Sequence, residues 1–184
     1  MLVQPNERQA KEIETIKERT IPLKLSNADV ERICTLAGSV NLTASSLIEN
    51  FIGDLVGGTY SNGSDERTFA RQWFDRCCFD IGIEYSFLQF AIDNFALEEI
   101  LDLWESIQDA KDDIDYYKEH PEDEDAIDEI PLLNEDIDSW QKELAVIYNE
   151  YKSCRKSTSV GSREDEIQKI LEWKKEYESF LGDS

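Results

Sequence analysis

Residues 97–119 read LEEILDLWESIQDAKDDIDYYKE, and this stretch decides the fold. Apolar residues recur in it at intervals of three and four, which is the spacing of one face of an α-helix. The apolar stripe consists of Leu97, Ile100 or Leu101, Trp104, Ile107, Ala110 or Lys111, Ile114 and Tyr117. The sequence therefore predicts an amphipathic helix over the whole stretch, with one face buried and the other in solvent.

The outer face of this predicted helix is lined with carboxylates. Its members are Glu98, Glu99, Asp102, Glu105, Asp109, Asp112, Asp113, Asp115 and Glu119. His120-Pro121 ends the helix, because proline lacks a backbone donor and disfavours a helical residue before it. An acidic turn follows, formed by Glu122, Asp123, Glu124 and Asp125. Residues 93–143 contain 20 acidic residues and three lysines, so most of the chain's negative charge comes from this region.

A second helix is predicted from about residue 134, and it completes a hairpin with the first. Pro131 predicts that residues 126–133 are short or irregular. The apolar side of the second helix carries Ile137, Trp140, Leu144, Ile147 or Tyr148, and Tyr151. Two such helices joined by a short turn form an antiparallel pair whose carboxylates lie on the outside.

Two further helices are predicted in the acidic half. Residues 81–95 form the most apolar segment of the chain, which is either a buried helix or a strand followed by a helix, and we favour the helix. Near the C-terminus, Ser162 and Asp165 have the spacing of a helix-starting capping box, in which each side chain satisfies the other's backbone amide. The helix that follows is expected to dock on the hairpin.

The overall composition predicts a folded protein with a basic partner. The chain has 184 residues, 40% of them hydrophobic, and a net charge of −22. This charge excludes unaided, non-specific binding to nucleic acid or to an anionic membrane, because both require excess lysine and arginine. No apolar signal segment or membrane span is found, and the four cysteines show no C-x-x-C spacing. We therefore expect a cytoplasmic protein with reduced, buried thiols.

The N-terminal part has a different pattern. Residues 20–25, TIPLKL, alternate apolar and other side chains as a short strand does. Ser26 is placed to cap a helix, Asn41 tolerates the left-handed turn that ends it, and Thr43 is placed to cap a second helix. The apolar stripe of that second helix is Leu47, Ile48, Phe51, Ile52 and Leu55, and Gly57-Gly58 ends it.

This order of strand, helix, turn and helix resembles the ribbon-helix-helix family. Residues 36–52, LAGSVNLTASSLIENFI, are similar to that family's A-x-x-x-G-L-[ST]-x-S-x-L-I turn and second helix, with Asn41 in place of glycine. In that family two chains pair their strands, and the outward side chains enter the DNA major groove. Carried over to residues 19–57, the resemblance implies a homodimer whose outward positions are Thr20, Pro22 and Lys24. Proline cannot read a base, so dimerisation or packing alone is an alternative role.

A loop rich in turn-forming residues separates the N-terminal part from the acidic half and sets the predicted domain boundary. Residues 1–57 form a ribbon-helix-helix-like module with an N-terminal arm, residues 58–66 form a linker, and residues 67–184 form an acidic helical domain. The fold class is thus mainly α, with a short N-terminal strand. Just after the linker, arginines alternate with aromatic residues on a predicted helix, which suits either stacking on nucleic acid or an amphipathic core helix.

The chain lacks the usual signs of catalysis. It has a single histidine, His120, and no glycine-rich phosphate-binding loop, so we predict no catalytic residue, no bound metal and no cofactor. His120 is interpreted as a helix-terminal surface residue. The acidic turn does supply oxygen atoms of the kind that bind Mg²⁺, so a Mg²⁺-dependent nuclease is an alternative.

In size, acidity and lack of catalytic motifs the chain is similar to the nucleic-acid-mimicking inhibitors of mobile elements, which are the anti-CRISPR and anti-restriction proteins. Carboxylates on successive helical turns recur about every 5.4 Å, as a regular row of negative charge. The resemblance implies a non-enzymatic inhibitor whose carboxylate-lined helical hairpin blocks guide or target binding by a basic protein such as a CRISPR effector nuclease. The predicted partner-binding residues are the nine outer carboxylates of 97–119 and the four acids of the turn that follows. The alternatives are a ribbon-helix-helix DNA-binding regulator of a mobile element and the nuclease.

Overall fold

The structure is a computed structural model that describes residues 7–77, 85–123, 126–154 and 161–182. Within these ranges it is mainly helical, as predicted. The helices are α1 (Glu7–Glu14), α2 (Asn27–Ser39), α3 (Ala44–Val56), α4 (Ser64–Cys77), α5 (Phe87–Asp93), α6 (Leu97–Glu119), α7 (Ala126–Cys154) and α8 (Arg163–Leu181). They belong to two compact units: unit 1 contains the described residues up to 77 together with 180–182, and unit 2 contains those between 85 and 179.

Side-chain caps fix the starts of α2 and α3, as predicted. The Ser26 hydroxyl accepts a hydrogen bond from the Asp29 amide at 3.1 Å, and the Thr43 hydroxyl accepts one from the Ser46 amide at 3.0 Å. Each cap satisfies a backbone donor that the helix itself leaves unpaired. Asn41, in the turn, has a φ of +61°, the left-handed conformation that asparagine tolerates. The predicted helix, turn and second helix are confirmed.

The predicted strand at residues 20–25 is not seen, because these residues form neither helix nor strand. A strand needs a neighbour whose backbone groups pair with its own N–H and C=O groups. The described ranges of this single chain provide no such neighbour. Ile21, Leu23 and Leu25 are consequently 46%, 60% and 51% exposed. The apolar alternation is real, but nothing in the described part of the chain covers it.

Unit 1 buries little of its apolar surface. Among its described residues, Ala37, Gly53 and Ala70 are the ones that are buried. Its large exposed apolar side chains also include Ile13, Ile16, Val30, Leu36, Val40, Leu42, Phe51, Ile52, Val56, Tyr60, Phe69, Trp73 and Phe74. Burial of apolar surface is the main favourable contribution to folding, so unit 1 obtains little of it within one chain.

The loop after α3 folds back onto that helix at Gly53. A Cβ atom at this glycine would lie 2.7 Å from the backbone carbonyl carbon of Tyr60. Asn62 holds the loop in place, since its side-chain and backbone amides donate to the Asp54 carboxylate at 2.9 and 2.6 Å. These hydrogen bonds from Asn62 lower the pKa of Asp54. Residues that the sequence marks only as a turn are therefore fixed against α3.

The helix after this loop, α4, belongs to unit 1. Its Trp73 ring packs edge-on against Phe51 of α3, with 5.2 Å between ring centroids. The division between the units therefore lies after residue 77, whereas the sequence places it in the loop at 58–66. Turn-forming residues mark a loop, but they do not show that the loop closes tightly on the preceding helix.

Replacing Gly53 by alanine is expected to destabilise unit 1 by about 1–3 kcal/mol, because the methyl group would overlap the Tyr60 backbone. Hydrogen exchange of the α3 amides measures this effect locally. Gly38→Ala is the matched control: nothing lies within 4 Å of its added Cβ, and alanine favours helix by about 1 kcal/mol. Unchanged exchange in G53A would contradict the observed closure.

Aromatic rings from α5 and α7 form the centre of unit 2. Phe87 is fully buried, and its ring centroid lies 5.1 Å from that of Tyr151. The Tyr151 hydroxyl donates to the Tyr85 carbonyl at 3.2 Å, so its polar end is satisfied inside the core. Of the buried helix predicted over 81–95, the structure contains α5, and residues 81–84 lie outside the described ranges.

α6 and α7 pack along each other as the predicted hairpin. α6 begins and ends where the sequence predicts. α7 differs, because it begins at Ala126 rather than near residue 134 and contains Pro131. Proline lacks one backbone N–H group, so at the sixth position it removes one intrahelical hydrogen bond. The N–H groups of the first four positions have no partner within the helix in any case, so the loss falls close to the helix start. Burial of Ala126 accompanies the early start.

α8 starts with the predicted capping box. The Asp165 amide donates to the Ser162 hydroxyl at 3.1 Å, and the Asp165 carboxylate accepts from the Ser162 amide at 3.3 Å. Ile167 and Ile170 of α8 are fully buried in the same core cluster as residues of α6 and α7. The predicted docking of this helix on the hairpin is confirmed.

Candidate protein-binding surface

The nine predicted carboxylates of α6 lie on one exposed face. Glu98, Glu99, Asp102, Glu105, Asp109, Asp112, Asp113, Asp115 and Glu119 are all exposed. The buried residues of the helix are Ile100, Leu103, Ile107, Ala110 and Ile114. The helical repeat of 3.6 residues separates the two sets, so a linear run of acids becomes a surface. We call this surface, with the acidic turn that follows it, the acidic face.

The acidic face is fixed in place because the helix that carries it packs against the core of unit 2. α6 has 23 residues and is therefore about 35 Å long. Its apolar side is part of the unit 2 core along its length, from Ile100 near the start to Ile114 near the end. A helix packed over its whole length presents its outer side chains in a constant register. This distinguishes the acidic face from a disordered acidic tail.

Most of the negative charge on α6 is not paired within the protein. Asp115 forms an ion pair with Lys118 at 2.9 Å. For the other eight carboxylates, no ion pair within 4.0 Å occurs among the described residues. Exposed charges of one sign act together over about 8–10 Å at ordinary ionic strength. The face can therefore attract a positively charged surface before contact is made.

The turn after α6 is described only in part. Glu122 is exposed and Asp123 is half-buried, and residues 124–125 lie outside the described ranges. His120 caps the end of α6: its Nδ1 lies 2.9 Å from the Tyr116 carbonyl oxygen, and its ring stacks on that of Tyr116. These contacts agree with the predicted helix-terminal role of the histidine.

A second acidic surface extends over α7. Its exposed carboxylates are Asp128, Glu129, Glu135, Asp136, Asp138, Glu143 and Glu150. None of them is among the predicted partner-binding residues. The sequence predicts an irregular segment at 126–133, and the predicted partner-binding carboxylates are those of α6 and of the turn after it. The acidic periodicity that identifies the α6 face is also present after residue 126, and it is the signal that would have included them.

The predicted N-terminal contact residues belong to unit 1, whereas the acidic face belongs to unit 2. Thr20 and Lys24 are both exposed, in a segment that forms neither helix nor strand. The described part of unit 1 contains no other residue that the sequence predicts as a site residue. Their proposed role in contacting DNA requires a paired strand, which the described ranges of this single chain do not contain.

The described residues contain no group of three or more His, Cys, Asp or Glu side chains placed to hold a metal ion. Two of the four acids on which the nuclease alternative depends, residues 124–125, lie outside these ranges, so that alternative stays a prediction. The three described cysteines, Cys34, Cys77 and Cys154, are free and exposed. The expectation that the thiols are buried is therefore wrong for these three, and Cys78 lies outside the described ranges.

No family model, curated protein or solved structure matches the chain. The resemblances to ribbon-helix-helix proteins and to nucleic-acid-mimicking inhibitors stay predictions. In the ranges that the structure describes, no helix combines the length and the apolar character needed to cross a membrane.

Proposed function

We propose that the chain is a non-enzymatic inhibitor whose acidic face docks on the nucleic-acid-binding surface of a basic protein. The observation that carries the proposal is the row of exposed carboxylates on α6, of which Asp115 alone has an ion pair among the described residues. A surface of this kind competes with a phosphate backbone for the same lysines and arginines. A guide-dependent nuclease of the CRISPR type is the partner that the resemblance suggests.

The geometry supports competition rather than general solubility. Carboxylates on successive turns are spaced about 5.4 Å apart along a well-packed helix. A preorganised row of charge loses less conformational entropy on docking than a flexible tail does. Charge complementarity also speeds association, by about 10- to 1000-fold at low salt. The partner should therefore be strongly basic and able to accommodate a helix in its channel.

Guide loading tests this proposal. The purified protein is expected not to shift a labelled DNA or RNA in a gel, but to prevent a basic guide-dependent nuclease from loading its guide. Inhibition should weaken as salt is raised, since the contact is electrostatic. Nuclease that already holds both guide and target is the control, because its nucleic-acid-binding surface is then occupied. Tight binding of the protein itself to the nucleic acid would contradict the proposal.

A second candidate function is DNA-binding regulation by a homodimer. The specific observation in its favour is that Ile21, Leu23 and Leu25 are exposed in a segment that has no strand partner among the described residues. The two capped helices that follow expose further apolar side chains. Pairing with the same segment of a second copy would satisfy the backbone groups and cover these residues. Lys24 would then face outward on the paired strands.

We expect the purified chain to be a dimer at micromolar concentration by light scattering. Replacing Leu23 and Leu25 together by lysine should yield monomers, because the introduced charges of the two copies would then face each other in the dimer interface. Thr20→Lys is the matched control, since its side chain would point outward and the dimer should persist. A chain that stays monomeric at every concentration would exclude this pairing.

If the dimer also reads DNA, its affinity for a short duplex should fall steeply with salt, and Lys24→Ala should weaken it without dissociating the dimer. A gel-shift titration at several salt concentrations measures both effects. Dimerisation without any affinity for duplex DNA would leave unit 1 as a pairing module only.

A further inference from the structure

The turn between α5 and α6 holds a phenylalanine in a conformation that favours glycine. The Ala96 amide donates to the Ala91 carbonyl at 2.9 Å, and the Phe95 amide donates to the Ile92 carbonyl at 3.3 Å. This pair of hydrogen bonds is the Schellman arrangement that ends many helices, with residue 95 at the position usually occupied by glycine. Phe95 has a φ of +57°. A bulky side chain in this region is strained.

Packing within the protein does not offset this strain. The Phe95 side chain is 94% exposed, so it buries almost none of its apolar surface. Asn41, which also has positive φ, is polar and suited to such a turn. A strained and fully exposed phenylalanine contributes nothing favourable to the folded unit, where glycine would fit better. The stability of the folded unit therefore does not explain why a phenylalanine occupies this position, which indicates a role in binding.

The surroundings of Phe95 indicate the chemistry of that role. Ile92, whose carbonyl accepts the Phe95 amide, is about half exposed, so the same turn carries a second exposed apolar residue. α6 begins two residues after Phe95, and its first turn carries the exposed carboxylates of Glu98 and Glu99. Asp93 on the other side is also exposed. Phe95 thus lies in the turn that leads into the acidic face, with carboxylates before it and after it along the chain.

We propose that Phe95, supported by Ile92, is an anchor that inserts into an apolar pocket bordered by lysine or arginine on the partner protein. The inference rests on the proposed function, because it assigns the position where the acidic face is fixed in register on its basic partner. Charge alone attracts a basic surface without selecting one. Buried aromatic anchors typically carry a large share of the binding energy at protein interfaces, so Phe95 would provide the selectivity.

Photo-crosslinking with the full chain tests the anchor. Phe95 is replaced by p-benzoylphenylalanine in one sample and Asp112 in another, and each is irradiated in a bacterial lysate. We expect both positions to capture the same basic nucleic-acid-binding protein. Adducts from position 112 without any from position 95 would overturn the anchor and leave the proposed function standing. The absence of a basic protein at either position would overturn both.

Affinity for the captured protein, once purified, completes the test. Phe95→Gly should weaken binding at least tenfold, while its melting temperature stays at or above that of the unsubstituted chain, because glycine relieves the backbone strain. Val146→Ala, at another exposed apolar residue of unit 2, should change neither quantity. Unchanged affinity in F95G, or a lowered melting temperature, would overturn the inference, since the second result would make Phe95 a structural residue.

Discussion

The triple variant Asp109→Lys, Asp112→Lys, Asp113→Lys is expected to lose about a hundredfold or more in affinity for a basic partner. All three carboxylates are exposed on the acidic face, and none has an ion pair among the described residues. Reversal removes three attractive charges and places three positive charges opposite the partner's lysines and arginines. Like charges that face each other across an interface cost on the order of several kcal/mol of binding free energy. Surface plasmon resonance at two salt concentrations measures the loss.

The variant should keep its fold. The lysine introduced by Asp109→Lys would stand four residues after Glu105, the order that stabilises a helix by about 0.2–0.5 kcal/mol per pair. The far-ultraviolet circular dichroism should therefore be unchanged. The matched control reverses Glu31, Glu49 and Asp65, which are exposed in unit 1 and change the net charge equally. If the control weakens binding as much as the α6 variant, net charge rather than the acidic face governs the interaction.

Replacing Phe87 by alanine should lower the free energy of unfolding of unit 2 by about 3–5 kcal/mol. This side chain is fully buried, and its ring packs against those of Tyr148 and Tyr151 at centroid distances of 5.4 and 5.1 Å. Truncation leaves a cavity in the centre of the core and removes these aromatic contacts. A loss of this size is a large fraction of the stability of a domain.

Tryptophan fluorescence during urea unfolding is a suitable measurement, because Trp104, Trp140 and Trp173 lie in unit 2. Phe95→Ala is the matched control: it removes the same ring eight residues later, where the side chain is exposed, and should change the stability by less than about 0.5 kcal/mol. Equal effects of the two substitutions would contradict the described packing of α5.

The acidic face was largely predictable from the sequence, since it depends on one long helix with a regular pattern. Ile107 and Asp109 point to opposite sides of α6 because two residues of an α-helix correspond to a rotation of about 200°. Phe95 was not predictable as an exposed residue. The sequence places it at the end of a run of aromatic residues, and neither composition nor periodicity shows that the chain turns there with a left-handed residue.

The sequence by itself determined the local features of this protein. Ser26, Thr43 and Ser162 cap their helices, and the apolar stripe of α6 selects its buried side, because hydrogen bonds and helical periodicity act over three or four residues. Only the tertiary structure decided the rest. Burial depends on neighbours that are distant in the sequence, so α4 joins unit 1 through its contact with α3. For the same reason residues 20–25 remain uncovered, because a strand is defined by its partner and not by its own alternation.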